Sequence, residues 1–243
     1  MTLIGTLKTI GRRRARRYKN IYLPTKRSNE KLYDDESYIN SVLEQIDFLN
    51  RYVDLNDNTR IIDFGCGQGR FANGLILKFP NLQLYRGVDT DDNAISWCKR
   101  WIQSFHNNFA FHHIPAHNAR YNPSSSPRQP ISLENASFDL AFLNSVFSHM
   151  LAEDVQFYLR EMHRMLVRSG IIYATAFMEE SVPEMEENPE GYLNRSSTGP
   201  LHRVRYEKNF LLGLFEESGF ELIDFRHRGI ERTGQSIIVA QAS

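Results

Sequence analysis

Apolar side chains recur at two spacings along this chain, and the two alternate. Ile39, Val42, Leu43, Ile46 and Leu49 fall three and four positions apart. That spacing predicts a helix over about 36–50 with one buried face, and Asp34-Asp35-Glu36-Ser37 supplies acids for its first turn. Arg60 to Phe64 reads as a strand. Phe71, Leu75, Ile76 and Phe79 return to helical spacing, closed by Pro80 and Asn81. Leu82 to Val88 is a second strand ending in Asp89. Ile95, Cys98, Trp101, Ile102 and Phe105 mark the next buried helix face, and Phe109 to Ile114 a third strand stopped by Pro115.

The second half continues the alternation after an interruption. Residues 120–137 hold Pro123, Pro127, Pro130 and several serines, the composition of a long loop. Phe138 to Leu143 is a fourth strand. Val155, Tyr158, Leu159, Met162 and Leu166 predict an amphipathic helix stopped at Ser169-Gly170, with the glycine as C-cap, and Ile171 to Phe177 a fifth strand. Residues 178–204 are acidic, then polar, and form an excursion before a helix at about 206–218. Glu221 to Arg226 and Ser236 to Ala240 are the last strands, joined by a link short enough to make one of them antiparallel. Strand–helix alternation implies right-handed crossovers and a parallel sheet covered on both faces. The predicted fold class is therefore α/β, a Rossmann-like seven-stranded, mostly parallel sheet with helices on both faces and a C-terminal antiparallel hairpin. Residues 1–33 read as a basic arm and 34–243 as one domain.

Candidate chemistry concentrates at the carboxyl ends of these strands, where open α/β sheets bind ligands. Asp63-Phe64-Gly65-Cys66-Gly67-Gln68-Gly69-Arg70 joins the first strand to its helix. Glycines let backbone approach a ligand closely. An acid beside them favours a ligand with positive charge over a plain phosphate. A dinucleotide fingerprint needs a third glycine where Arg70 stands. Asp89 closes the second strand, followed by Thr90, and a carboxylate there can accept two hydrogen bonds from a ribose diol. Cys66 reads as a small packing residue inside the turn.

The pattern D-x-G-x-G-x-G resembles the first motif of class I S-adenosylmethionine-dependent methyltransferases. Phe138 to Met150 resembles that family's fourth-strand segment. Trp97-Cys98-Lys99-Arg100, Phe111-His112-His113-Ile114, Tyr121-Asn122-Pro123 and Ser145-Val146-Phe147-Ser148-His149-Met150 are similar to a bacterial subgroup associated with glycan or small-molecule biosynthesis. The resemblance spans about residues 58–177 and implies S-adenosyl-L-methionine as cofactor. It places Asp63 near the methionine amino group, the backbone of Gly65, Cys66, Gly67 and Gly69 along the methionine, Asp89 and Thr90 at the ribose, and Asn144 facing the methionine part. The subgroup's third strand ends in an aspartate for the adenine amino group. Pro115 stands there, leaving His117 or Asn118 to substitute. His149 follows the fourth strand where an acceptor would sit, and its chemistry suits a general base. The expected reaction is methyl transfer to a small-molecule or glycan-type acceptor, on oxygen. Tyr33, Tyr38 and the 178–204 excursion flank the core in sequence and could cover that acceptor. The alternatives are an NAD-linked oxidoreductase, from the same strand–glycine–helix logic, and a non-catalytic methyltransferase-like binding protein, prompted by Pro115.

Composition bounds this reading. At 243 residues and 41% hydrophobic the chain can bury one substantial core. No apolar run approaches membrane-spanning length, the N-terminus lacks a secretory signal's apolar core, and two cysteines are too few for a disulfide framework. A cytoplasmic location is expected. His112, His113 and His117 are close in sequence, but strand neighbours point to opposite faces, so no metal site is expected. Nine of the 29 basic residues precede residue 30, where there is no acid, leaving 20 bases against 29 acids in the remainder. That segment could touch anionic lipid or nucleic acid electrostatically, serve as a targeting segment, or be a solvated helix or tail packed on the acidic body, the reading favoured here. Nothing after residue 30 interleaves bases and aromatics as a nucleic-acid surface does, so no nucleic-acid partner is expected. Oligomeric state has no signature in the sequence.

Overall fold

The computed structural model describes residues 14–26, 34–116, 118–120 and 128–243. They form two compact units, one ending at His113 and the other starting at Ile114.

In the first unit, β1 (Ala15–Tyr18) and β2 (Ile21–Pro24) pair as an antiparallel hairpin. These residues fall within the basic N-terminal segment, yet Ile21 and Leu23 are buried. Arg16 of the hairpin pairs with Asp35, and two hydrogen bonds to its backbone add to this. The Trp97 indole N–H donates to Arg14 O (3.2 Å), and Asn73 Nδ2 donates to Tyr22 O (3.0 Å). Helix α1 (Asp35–Leu49) starts at Asp34, whose carboxylate accepts the Ser37 N–H at 2.8 Å, and buries Ile39, Val42, Ile46 and Leu49. Tyr38 is also buried on this helix, and Tyr33 lies outside the described residues. Strand β3 (Arg60–Phe64) leads into α2 (Arg70–Lys78), which packs on α1. Arg70, where a third fingerprint glycine would stand, bridges the two helices through Ser41 Oγ (3.1 Å) and Gln45 Oε1 (2.6 Å). Strands β3, β4 (Leu84–Asp89) and β5 (Phe109–His113) pair in parallel, Phe64 beside Val88 and Asp89 beside His113.

Between β4 and β5 the helix departs from the expected period. Helix α3 (Asp92–Cys98) continues as a π-helical turn over Lys99–Gln103. A π-turn inserts an extra residue into one turn and rotates the remainder of the helix. Ile95, Cys98 and Ile102 stay buried, but Phe105, expected on the same face, is 57% exposed. Trp97 takes a buried place instead.

In the second unit, β6 (Phe138–Leu143) pairs in parallel with β7 (Leu166–Glu179). Between them runs α4 (Ala152–Met165). The expected glycine C-cap is not used. The helix ends at Met165, Leu166 is already extended, and Leu166 pairs with Phe138 while Ile171 pairs with Leu140. The intervening residues bulge out, with Ser169 at φ 63°. Gly170 returns the chain into the sheet, where a Cβ would lie 2.9 Å from Val167 O. Within the excursion, β8 (Met185–Glu187) pairs antiparallel with β9 (Val204–Glu207), and β9 pairs in parallel with β7. Helix α5 (Lys208–Glu217) precedes β10 (Phe220–Ile230) and β11 (Gln235–Ala242), an antiparallel hairpin whose second strand lies antiparallel to β7. Three parallel strands in one unit and β6, β7, β10 and β11 in the other make the seven principal strands, and the class is the Rossmann-like α/β fold expected. Among the described residues no helix is long and apolar enough to cross a membrane.

Trp97→Phe keeps the aromatic packing but removes the indole donor from Arg14 O, which keeps the Thr25 N–H. It should cost about 1 kcal/mol and speed amide exchange over residues 15–24. Unchanged exchange there would show that the indole hydrogen bond does not hold the hairpin.

Candidate active site

The glycine turn of the first unit is set by two acids. Gly65, Gly67 and Gly69 all have positive φ, 80°, 52° and 71°, the left-handed region that glycine enters without a Cβ penalty. Gly65 and Cys66 N–H both donate to Val88 O, at 2.8 and 3.1 Å. Gly67 N–H donates to Asp89 Oδ2 at 2.7 Å, and Asp89 Oδ1 accepts the Asp91 N–H at 2.8 Å. Asp89 thus fastens the turn to the end of β4. Each of its oxygens keeps a second lone pair. An inward-facing N–H that a phosphate would seek is already taken by a carboxylate. Burial pushes the Asp89 carboxyl above its ordinary range, and the Asp91 and Gly67 N–H groups pull it back. At Gly67 a Cβ would meet nothing within 4 Å, so the turn has an open side.

Asp63 does not stand at the mouth of the turn, as its place in the sequence suggested, but beneath it. It is 2% exposed, and the Tyr85 hydroxyl donates to its Oδ2 at 2.5 Å. Burial raises its carboxyl from 3.8 to about 7. The Tyr85 bond opposes the shift, the Asp89 charge adds to it, and Arg70 opposes it. Tyr85 was invisible as a partner in the sequence, although its i, i+2 alternation with Gly87 and Asp89 fixed its face. Cys66 and Cys98 are both buried below the turn, and the Cys98 thiol donates to Gly67 O at 3.4 Å. Cys66 therefore offers a ligand its backbone, its thiol being pushed up by burial. Thr90 carries the carbonyl that meets His113 Nε2 at 3.2 Å.

The second unit carries the other expected residues. Past β6, Asn144 is followed by Ser145 at φ 60°, a strained position for a residue with a Cβ. A buried polar network holds it there. Ser145 N–H donates to Thr175 Oγ1 (2.8 Å), while the Ser145 and Thr175 hydroxyls both donate to Gln235 Oε1, at 3.1 and 2.6 Å. Neither Thr175 nor Gln235 stood out in the sequence, because Thr175 sits inside the mostly apolar run Ile171–Phe177 and Gln235 just precedes the strand expected from Ser236. Asn118 uses its amide on backbone, donating to His149 O (3.0 Å) and accepting the Arg120 N–H (3.0 Å). His117 lies outside the described residues. His149 closes the turn Phe147–His149, and its Nδ1 lies 2.9 Å from Leu201 O. A carbonyl only accepts, so Nδ1 carries the proton and the neutral ring's basic nitrogen is Nε2. Burial lowers its pKa to about 4. The Leu201 carbonyl opposes this, and Arg120 and His202 lower it further.

Residues 55–235 match a family model described as a methyltransferase domain. The chain belongs to that methyltransferase family. Its methyl donor is S-adenosyl-L-methionine. Solved structures with the same fold include a protein of Pyrococcus horikoshii OT3 (TM-score 0.61, 16% identity, covering 90% of this chain and 100% of that one). Another is the 1,6-didemethyltoxoflavin N1-methyltransferase of Burkholderia thailandensis, solved with 1,6-didemethyltoxoflavin and S-adenosylhomocysteine (0.57, 17%, 86% and 80%). A third is a putative O-methyltransferase of Nostoc punctiforme PCC 73102 (0.55, 18%, 84% and 56%).

The methyltransferase's glycine turn suits this donor. A cationic ligand on the open side of Gly67 would lie beside Asp89 and above the buried Asp63, and Arg70 is turned away to α1. Asp63, the backbone of Gly65 and Gly67, and Asp89 are the residues that would hold it. The donor supplies an electrophilic methyl on a sulfonium. The protein must align it and exclude water.

Asp63 gives the unliganded enzyme a pH signature. Its folded pKa lies above its unfolded value, so between pH 4 and 7 the native state binds more protons than the unfolded one, and stability falls as pH rises. Asp63→Asn keeps an acceptor for Tyr85 and removes the titration. Urea unfolding should show the variant gaining on wild type by up to about 1.4 kcal/mol per pH unit across that interval. Parallel stability curves would mean that Asp63 titrates as in the unfolded chain. Thr175→Val takes the acceptor from the Ser145 N–H and the donor from Gln235, and should lower stability in urea unfolding by about 1–3 kcal/mol, with Thr175→Ser restoring it. Unchanged stability would confine Thr175 to packing.

Proposed function

We propose that this methyltransferase acts on a small-molecule or glycan-type acceptor at oxygen, with His149 receiving the acceptor's proton. The observation that carries the reading is the tautomer of His149, Nδ1–H committed to Leu201 O and Nε2 basic, on the turn at the carboxyl end of β6. The excursion touches the same turn through Leu201, which supports its role as one wall of the acceptor site. A base with a pKa of about 4 is matched to an acidic hydroxyl, phenolic or enolic, better than to an aliphatic sugar hydroxyl. Small-molecule chemistry is in keeping with the toxoflavin enzyme's printed substrate.

The same low basicity favours a second reading, transfer to nitrogen, since a neutral amine brings its own lone pair. The structural relatives include both kinds by name, so the fold does not choose. The test begins with trideuteromethyl-labelled S-adenosylmethionine and a panel of phenols, enols, amines and sugars, with products read by mass spectrometry. On the best acceptor, His149→Gln should lower kcat by roughly a hundredfold or more if His149 is the base. The wild-type rate should stay flat from pH 8 down to about 5, because the ring is neutral throughout. A variant with full kcat would remove His149 from proton transfer and leave the nitrogen reading.

A further inference from the structure

The loop over residues 195–203 gathers positive charge that its own surroundings do not neutralise. Arg203 is 7% exposed, and its guanidinium donates to Arg195 O (3.0 Å), Ser196 O (3.1 Å) and Ser197 Oγ (3.3 Å), all neutral acceptors. Arg195 donates to Arg232 O (2.7 Å) and Thr233 O (3.3 Å), again neutral. Among the described residues neither arginine has a carboxylate partner. Nearby cations do: Arg205 pairs with Glu186, Lys208 with Glu180, and Arg228 with Glu179. The acid that does touch the loop, Glu187, accepts the Leu201 N–H at 2.7 Å and takes no arginine.

A third arginine reaches the same loop. Arg120 Nη1 donates to Thr198 O at 3.2 Å. Thr198 N–H in turn donates to His202 Nδ1 at 2.7 Å. Its Nδ1 accepts, so the neutral His202 ring carries its proton on Nε2, as a donor. The charges sense one another. His202 is held below its ordinary pKa by burial and then by Arg120 and Arg203, and Arg203 is held down by burial and then by Arg195. The loop is also joined to the proton-accepting turn, since Leu201 O holds His149. Stapling a loop needs donors but no net charge. Burying a guanidinium against neutral oxygens alone leaves its desolvation unrepaid, and a ligand anion would complete it.

We propose that the acceptor carries an anionic group, a carboxylate or a phosphate ester, held by Arg120, Arg203 and the His202 Nε2–H beside the turn of His149. This rests on the methyl-transfer reading and narrows its substrate class.

The test uses the full chain with and without S-adenosylhomocysteine, titrated calorimetrically with phenyl phosphate and benzoate against the neutral analogues phenol and benzyl alcohol. The anionic probes should bind at least about tenfold more tightly, less so at high salt. A preference for phenyl phosphate assigns the phosphate ester, and one for benzoate the carboxylate. Arg120→Gln, which leaves the Arg203 staple in place, should cost about tenfold in anion affinity and leave S-adenosylhomocysteine binding unchanged. Equal binding of anionic and neutral probes, or full anion affinity in Arg120→Gln, would overturn the proposal. Failure of S-adenosylhomocysteine to bind would instead strike the methyl-transfer reading, which the anion preference measured without it does not depend on.

Discussion

One carboxylate at the end of a strand organises the donor side of this enzyme. Asp89 takes the Gly67 N–H with one oxygen and the Asp91 N–H with the other, so the turn after β3 and the start of α3 are tied to one side chain. The consequences are electrostatic. A glycine turn whose inward N–H groups are free attracts anions. Here an acid occupies that place and a second acid, Asp63, is buried below it. The combination turns a phosphate cradle into a site for a ligand with a positive end and a hydroxyl-bearing end, which is the character of S-adenosyl-L-methionine.

Burial makes Asp63 more than a fixed negative charge. Burial first, opposed by the Tyr85 bond and reinforced by the Asp89 charge, raises its carboxyl to about 7 in the unliganded enzyme. A cationic ligand favours the ionised form, so proton loss and ligand binding are coupled. The second unit shows the opposite arrangement. His149 is kept neutral by burial and by positive neighbours, and the loop that holds it carries uncompensated arginines. On the proposed reading, the loop beside His149 would suit negative charge as the glycine turn suits positive charge.

Much of this could be read from the residues in order. Strands β3 and β6 lie where alternation with the flanking breakers puts them, and Asp34 caps α1 as its acids suggested. What escaped the reading has a common cause, long-range partnership. The π-turn at Lys99–Gln103 shifted a helical face that a constant period placed wrongly, exposing Phe105. The end of α4 was decided by the pairing of Leu166 with Phe138 and not by the glycine four residues on. The hairpin at Ala15–Pro24 lay inside a run of basic residues whose charge masked Ile21 and Leu23. In the site, the glycines and Asp89 announced themselves, whereas Tyr85, Thr175 and Gln235 act only through residues 22, 30 and 60–90 positions away.

The measurement that bears most directly on the acid-lined turn is calorimetry of S-adenosylhomocysteine binding at pH 6.5 in two buffers of different ionisation enthalpy. If Asp63 meets the ligand's ammonium, binding releases protons, the apparent enthalpy depends on the buffer, and the dependence disappears in Asp63→Asn. Equal enthalpies in the two buffers, or net proton uptake, would contradict it.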